Sequence, residues 1–149
     1  MKSKHLYIEI GNLNDAHRIA LEIPEFNDLY TLNEFEDRLK TVTHLILVAY
    51  YKNKPVGFKI GYETLKNKHF YSWMGGVLPK YRKAGVAQLL LDFQEEWIIE
   101  KKYKRILVKT RKKHLSMINF LGKNGYYELG SLPNDPDEET RILFDKELN

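Results

Sequence analysis

Residues 75–90 read GGVLPKYRKAGVAQLL, and three kinds of sequence meet there. An apolar strand ending at Val77 is stopped by Pro79, which cannot donate to a ladder. A short loop of basic and small residues follows, and a helix-periodic pattern begins at about Val86, with Gly85 immediately before it. The first backbone amides of a helix have no intrahelical partner. They add to the positive end of the helix dipole, so such a junction is an anion seat. Gly85 and Ala87 leave the amides open to close approach, and Arg82 and Lys83 add fixed positive charge. The physical reading is a cradle for a pyrophosphate.

Working outward, the periodicity predicts a strand over residues 5–10 and a helix over 14–23, capped by Asn14 or Asp15 and closed by Pro24. A second helix follows over 31–41, with Thr31 and Glu34 as a capping box. The run LILVAYY (residues 45–51) reads as a buried strand, KNKP as a turn, and VGFKIGYE (56–63) as an alternating strand with Val56, Phe58, Ile60 and Tyr62 on one face. A strand over 69–77 leads into the cradle. The helix after it, 86–101, has Leu90, Phe93 and Trp97 as its apolar stripe. Beyond it come a short strand at 106–108, a helix over 115–123 ended by Gly125, and strands at 126–129 and 141–144. The expected order is β-α-α-β-β-β-α-β-α-β-β, an α/β fold with a mixed sheet flanked by helices in one domain over residues 1–149.

Composition excludes several classes. The 149 residues are 43% hydrophobic and 30% charged, a globular balance. With no cysteine there is no disulfide scaffold, thiolate zinc site or cysteine nucleophile, and the five scattered histidines form no i, i+4 metal pair, so no metal is expected. No apolar run approaches the roughly 20 residues of a membrane span, and MKSKHLYIEI lacks the apolar core of a signal peptide. The expectation is a cytoplasmic protein with no membrane partner. The formal net charge is +4, and it is unevenly placed. Residues 101–127 contain no acid but nine lysines and arginines, and the acidic run DPDEE follows at 135–139. A basic sector of this kind attracts anions or stays solvated. A nucleic-acid-binding module is the rival it raises, but zinc-finger spacing, RNP motifs and helix-turn-helix patterning are absent, so no nucleic-acid partner is expected.

The loop RKAGVA, residues 82–87, matches the Q/R-x-x-G-x-G/A phosphate loop of the GNAT superfamily of acetyltransferases. It follows a V-x-P-x-Y-R strand end (Val77, Pro79, Tyr81, Arg82), and KNGY at 123–126 matches the family's K-x-G-F/Y ending. The chain therefore resembles a GNAT protein in element order over nearly its whole length. GFKIGYE, YSWMGGVLP, Gln94 and MINFLGKNGY look like a bacterial subgroup of it. The resemblance implies a mostly antiparallel GNAT-type sheet, acetyl-CoA as acyl donor, and transfer to a primary amine of a small molecule, peptide or protein. It assigns pantetheine to Gly76 and Val77, and pyrophosphate to the amides of Arg82, Lys83, Ala84, Gly85, Val86 and Ala87. GNAT folds often pair through terminal strands, so a homodimer is possible.

Acetyl transfer requires an unprotonated amine, a polarised thioester carbonyl and a neutralised leaving thiolate. Glu63 is the candidate base, sharing a strand face with Lys59; a surface ion pair is its plainer role. The family's usual acid is a tyrosine where this chain has Leu121, which leaves Ser72 or water to protonate the thiolate. The same departure makes a catalytically silent acetyl-CoA sensor an alternative. Where family members carry an asparagine to contact the cofactor, this chain has Arg111, Lys112 and Lys113, either contacts for the 3′-phosphate or solvated cations. Glu25, Phe26 and Tyr30, with Tyr62, Tyr71 and Trp73, are the candidate acceptor residues. An acidic and aromatic cleft of that kind would suit a cationic amine.

Overall fold

A computed structural model of the chain describes residues 5–148. Its elements run in the expected order: β1 (Leu6–Ile10), α1 (Leu13–Leu21), α2 (Leu32–Leu39), β2 (His44–Tyr51), β3 (Lys54–Leu65), β4 (His69–Val77), α3 (Val86–Glu100), β5 (Arg105–Arg111), α4 (Leu115–Lys123), β6 (Tyr127–Leu132) and β7 (Arg141–Glu147). The seven strands form one sheet in the order β1-β2-β3-β4-β5-β7-β6. Every pairing is antiparallel except β4 with β5.

Local chemistry sets the ends of the helices. Thr31 Oγ1 accepts from the Glu34 amide while the Glu34 carboxylate accepts from the Thr31 amide, a complete capping box. The first helix is capped two to three residues earlier than expected, by Asn12, whose Oδ1 accepts from the Asp15 amide at 2.9 Å. Gly125, at φ +85°, takes the left-handed position that follows α4.

The sheet separates two cores. On one side Ile19, Ile23, Phe35 and Leu39 of the α1–α2 layer pack on Ile46, Val48, Phe58 and Ile60. On the other, Val86, Leu90, Leu91 and Ile98 of α3 and Leu121 of α4 pack on Leu45, Leu47, Phe70, Ile106 and Phe144. Fully burying a side chain such as Phe58 or Phe70 contributes roughly 2 kcal/mol, so both layers are firmly seated. The buried stripe of α3 is Val86, Leu90, Leu91, Gln94 and Ile98; Phe93 and Trp97, expected in it, are only partly buried at its flanks.

Two bulges alter the simple alternation of the sheet. Ala49 pairs with Gly57 and Tyr50 with Pro55, which leaves Val56 without a partner. Val56 accordingly packs in the α3 core and not with Phe58, Ile60 and Tyr62 as a period of two requires. In β4, Met74 pairs with Ile60 and Ser72 with Gly61, so Trp73 is the extra residue, and Trp73 and Met74 both turn toward α1 and α2.

Candidate active site

β4 and β5 are hydrogen-bonded only from His69↔Arg105 to Ser72↔Val108. Beyond that rung the strands part, so residues 73–77 and 109–111 border a split. β4 keeps β3 on its other side, with Gly76 paired to Phe58 and Val77 to Gly57. Beyond Ser72 its edge facing the split pairs with no other strand among the described residues, and apart from the Val77 carbonyl it offers a row of amide and carbonyl groups to an extended amide-bearing ligand.

The split leads to the start of α3. Pro79–Tyr81 form a single 3-10 turn, Lys83 lies at φ +61°, and Gly85 caps α3 at φ +87° with no side-chain cap. A left-handed cap is cheap only for glycine. The first intrahelical bond is donated by Leu89 to the Gly85 carbonyl. Among the described residues the amides at 83–88 donate to no other group. The Arg82 amide, expected among them, is instead bonded to the Pro79 carbonyl at 3.3 Å.

The Arg82 side chain is also committed. Nε donates to the Val77 carbonyl at 2.9 Å, and both terminal nitrogens donate to the Glu25 carboxylate at 2.9 Å. This bidentate pair fastens the end of β4 to the α1–α2 loop. Hydrogen bonding to Arg82 holds the Glu25 carboxyl below its ordinary range. The Glu25 charge is thus matched by that of Arg82. Phe26, beside it, sits edge-on to Phe58. His114, at the start of α4, is partly buried; burial and Lys113 push its pKa down while Glu25 acts to raise it. The β5–α4 turn therefore lies within electrostatic reach of the α1–α2 loop.

Glu63 lies elsewhere. It pairs with Phe70, on the closed side of the Ser72 rung, and its carboxylate accepts from the Tyr103 hydroxyl at 3.1 Å and the Asn67 amide at 2.8 Å. It ties the β3–β4 hairpin to the turn after α3, and the joined part of β4 and β5 separates it from the split. Ser72, by contrast, is buried at the vertex, at the last rung before the strands part. Lys59, on the α3 side, lies along Gly75 of β4, and burial lowers its pKa to about 8 against a smaller opposing effect of Glu95. Glu95 accepts from the Tyr126 hydroxyl at 2.7 Å and from Lys146 at 3.0 Å. Leu121 is buried in the same core, so no hydroxyl stands at the usual acid's position.

The aromatic candidates do converge. Tyr62 meets Tyr71 and Trp73 edge-on at centroid distances of 5.5 and 5.7 Å, and Tyr30 lies 5.7 Å from Trp73. His17 steadies this corner, its Nε2 lying 2.9 Å from the Tyr30 carbonyl. The cluster surrounds a residue that the periodicity did not single out: Arg38, whose Cζ is 4.5 Å from the Trp73 ring centroid and 5.2 Å from that of Tyr30. Its only local signal is its place one turn after Phe35 on α2.

A family model described as the Acetyltransferase (GNAT) family matches residues 12–126. The chain belongs to the GNAT acetyltransferase family. A search of curated protein sequences found no match. Among solved structures, the GNAT fold of this chain is similar to Ard1 from Thermoplasma volcanium, with 18% identity, a TM-score of 0.82 and 97% and 99% of the two chains covered. The ribosomal-protein-S18-alanine N-acetyltransferase from Escherichia coli gives 15% identity, a TM-score of 0.80 and coverage of 96% and 95%. A GNAT family acetyltransferase from Elizabethkingia anophelis with acetyl-CoA bound gives 17%, 0.78, and 98% and 100%. At these identities the likeness concerns the GNAT fold.

Proposed function

We propose that this protein is an N-acetyltransferase that moves an acetyl group from acetyl-CoA to a primary amine. The observation that carries the reading is the parting of β4 from β5 beyond Ser72, with its free strand edge leading to the uncapped amides of α3. Both features fit the donor: the amides of Lys83, Ala84, Gly85, Val86 and Ala87 suit its pyrophosphate, and the backbone of Gly76 and Val77 suits its pantetheine amides. The acetyl-CoA bound to the Elizabethkingia anophelis relative, and the alanine acceptor in the name of the Escherichia coli one, support the donor and the amine.

Acetyl-CoA, when bound, supplies an acyl thioester open to a nucleophile, with a thiolate as its leaving group. The chain's own residues position and protonate. Arg82, fixed by Glu25 and the Val77 carbonyl, holds the end of β4 in place so that the edge and the helix amides stay aligned. Ser72, buried at the vertex, would relay a proton: its hydroxyl donates to the departing sulfur as it takes up a proton from water, which carries the one released by the amine. Glu63 and Glu25 are both engaged, Glu63 by Tyr103 and Asn67 and Glu25 by Arg82, which favours a base other than either. The amine loses its proton to water, helped by cations on the open sheet face that disfavour a further positive charge. The donor seat and this chemistry belong in a cytoplasmic setting, where acetyl-CoA is available.

Calorimetric titration with acetyl-CoA tests the seat, with desulfo-CoA and ATP as controls. Saturable binding is expected, weakened at least about tenfold by Gly85→Glu, which puts a carboxylate where the pyrophosphate belongs and strains the left-handed cap. No binding at millimolar acetyl-CoA would overturn the proposal. Binding without CoA release to any amine would leave the acetyl-CoA sensor in its place.

A further inference from the structure

The α1–α2 core is built on β2, β3 and β4, and among the described residues none of its members comes from β5 or β7. Val108 and Phe144 point into the α3–α4 core, so the next residues along those strands point the other way. Lys109 pairs with Leu143, and Arg111 pairs with Arg141, on the open face. That face continues into the aromatic cluster: the Lys109 ammonium stands 5.2 Å from the Tyr71 ring centroid, and Tyr71 meets Tyr62.

The charges on this surface are one-sided. Arg111 is taken up by Glu139, at 3.5 Å, and Asp145 is bound by Arg105. Arg38, Lys109 and Arg141 form no ion pair with a carboxylate among the described residues. Arg141 stands two residues along β7 from Leu143, the partner of Lys109, and so shares its face; burial pushes the Tyr71 hydroxyl up to about 12, while Arg141 and Arg38 act to lower it. Three unpaired cations thus border an aromatic floor whose one expected acid, Glu25, is bound to Arg82. A polycation entering here would meet like charge from three elements and would have to displace Arg38 from Trp73 and Tyr30.

We infer that the acceptor is an amine that also bears an anionic group, a carboxylate or a phosphate, held by Arg38, Lys109 and Arg141 over Tyr30, Tyr62, Tyr71 and Trp73. The inference rests on the acetyl-transfer reading of the split. It reverses the cationic amine expected from an acidic and aromatic cleft.

Trp73 provides a readout that does not need turnover. In a Trp97→Phe protein, the remaining tryptophan is the one under Arg38, and its fluorescence reports on ligands there. Two matched pairs are titrated with CoA present: the dipeptide Ala-Glu against its diamide, and phosphoethanolamine against ethanolamine, with spermidine as the polycation. At least one anionic member is expected to saturate the signal at a concentration about tenfold lower than its neutral partner, and to be acetylated in preference to it. Arg38→Gln and Lys109→Gln should each erase about tenfold of that preference, as loss of a charge-assisted contact does. Equal response within both pairs, or tighter binding of spermidine, overturns the inference. If acetyl-CoA itself fails to bind, the acetyl-transfer reading falls; if it binds and neither pair discriminates, only the acceptor class is wrong.

Discussion

A single partly buried ammonium has the clearest consequence at the scale of one residue. Lys59 sits on β3 under α3, its stem against Gly75, and burial lowers its pKa from 10.5 to about 8. Its proton is therefore held less well in the folded chain than in the unfolded one. Between about pH 8 and pH 10.5 the unfolded chain binds the extra proton, so this group makes stability rise with pH across that window. Below it, the charged ammonium opposes folding by a constant amount. Lys59→Met keeps the stem and removes the charge. It is expected to raise unfolding free energy at pH 7 by about 1–3 kcal/mol and to flatten the rise between pH 8 and 9.5. Urea melts of both proteins across that range check it, staying below pH 10, where tyrosines such as Tyr71 titrate in the unfolded chain and act in the opposite direction. A variant no more stable than its parent at pH 7 would show that Lys59 keeps its solvation. The sequence identified Lys59 as sharing a strand face with Glu63, which is correct. It did not reveal that α3 lies over that face, and the covering is what shifts the group.

Elements were more legible than side-chain partners. Strand alternation, Pro79, the Thr31–Glu34 box and Gly125 are local signals, and the element order followed from them. The bulges were not visible, because they depend on cross-strand register, which no single strand's residues declare. The bulge at Trp73 turns an indole toward Tyr30 and Arg38 and lies beside the rung where β4 leaves β5. Gly61 faces that bulge across the ladder. A Cβ at Gly61 would come within 2.4 Å of Phe70 Cε1 and 2.8 Å of the Tyr71 carbonyl oxygen, and the second is backbone that cannot turn aside. At Gly76 the nearest atom to such a Cβ is Ile23 Cδ1, at 2.5 Å, the end of a side chain that can rotate. Gly61→Ala is therefore expected to cost about 2–3 kcal/mol, a fall of roughly 5–10 °C in Tm, and Gly76→Ala less than half of that. Calorimetric scans of the two variants decide it, and equal Tm values would mean that β3 and β4 shift freely at the bulge.

Over the whole molecule, the feature that composition left open was the basic sector. In the fold it meets the acidic run that the sequence carries separately: Lys112 pairs with Asp137, and Lys113 and Arg111 with Glu139. The three cations that resemblance offered to a cofactor phosphate anchor the segment between β6 and β7. Lys112 and Asp137 are more than twenty residues apart, and nothing local marks them as neighbours, which is why this could not be read along the chain. Backbone bonds complete the anchor, the Lys112 amide donating to the Thr140 carbonyl and that of Lys113 to Glu138. The hydrogen bonds from Lys112 and Lys113 hold the Asp137 and Glu139 carboxyls below their usual values of 3.8 and 4.5. Their stabilisation is thus present above those values and is lost as the pH falls through the lowered ones. These pairs are exposed and individually weak. Replacing both acids, Asp137→Asn with Glu139→Gln, should therefore shift Tm by less than about 3 °C while the Lys112 and Lys113 amides exchange with solvent about tenfold faster. The same change adds two to the formal charge of +4 and frees two lysines, so retention on heparin should increase and fall steeply with salt. Unchanged exchange at those amides would mean that the backbone bonds alone hold the segment and that the ion pairs are incidental to it.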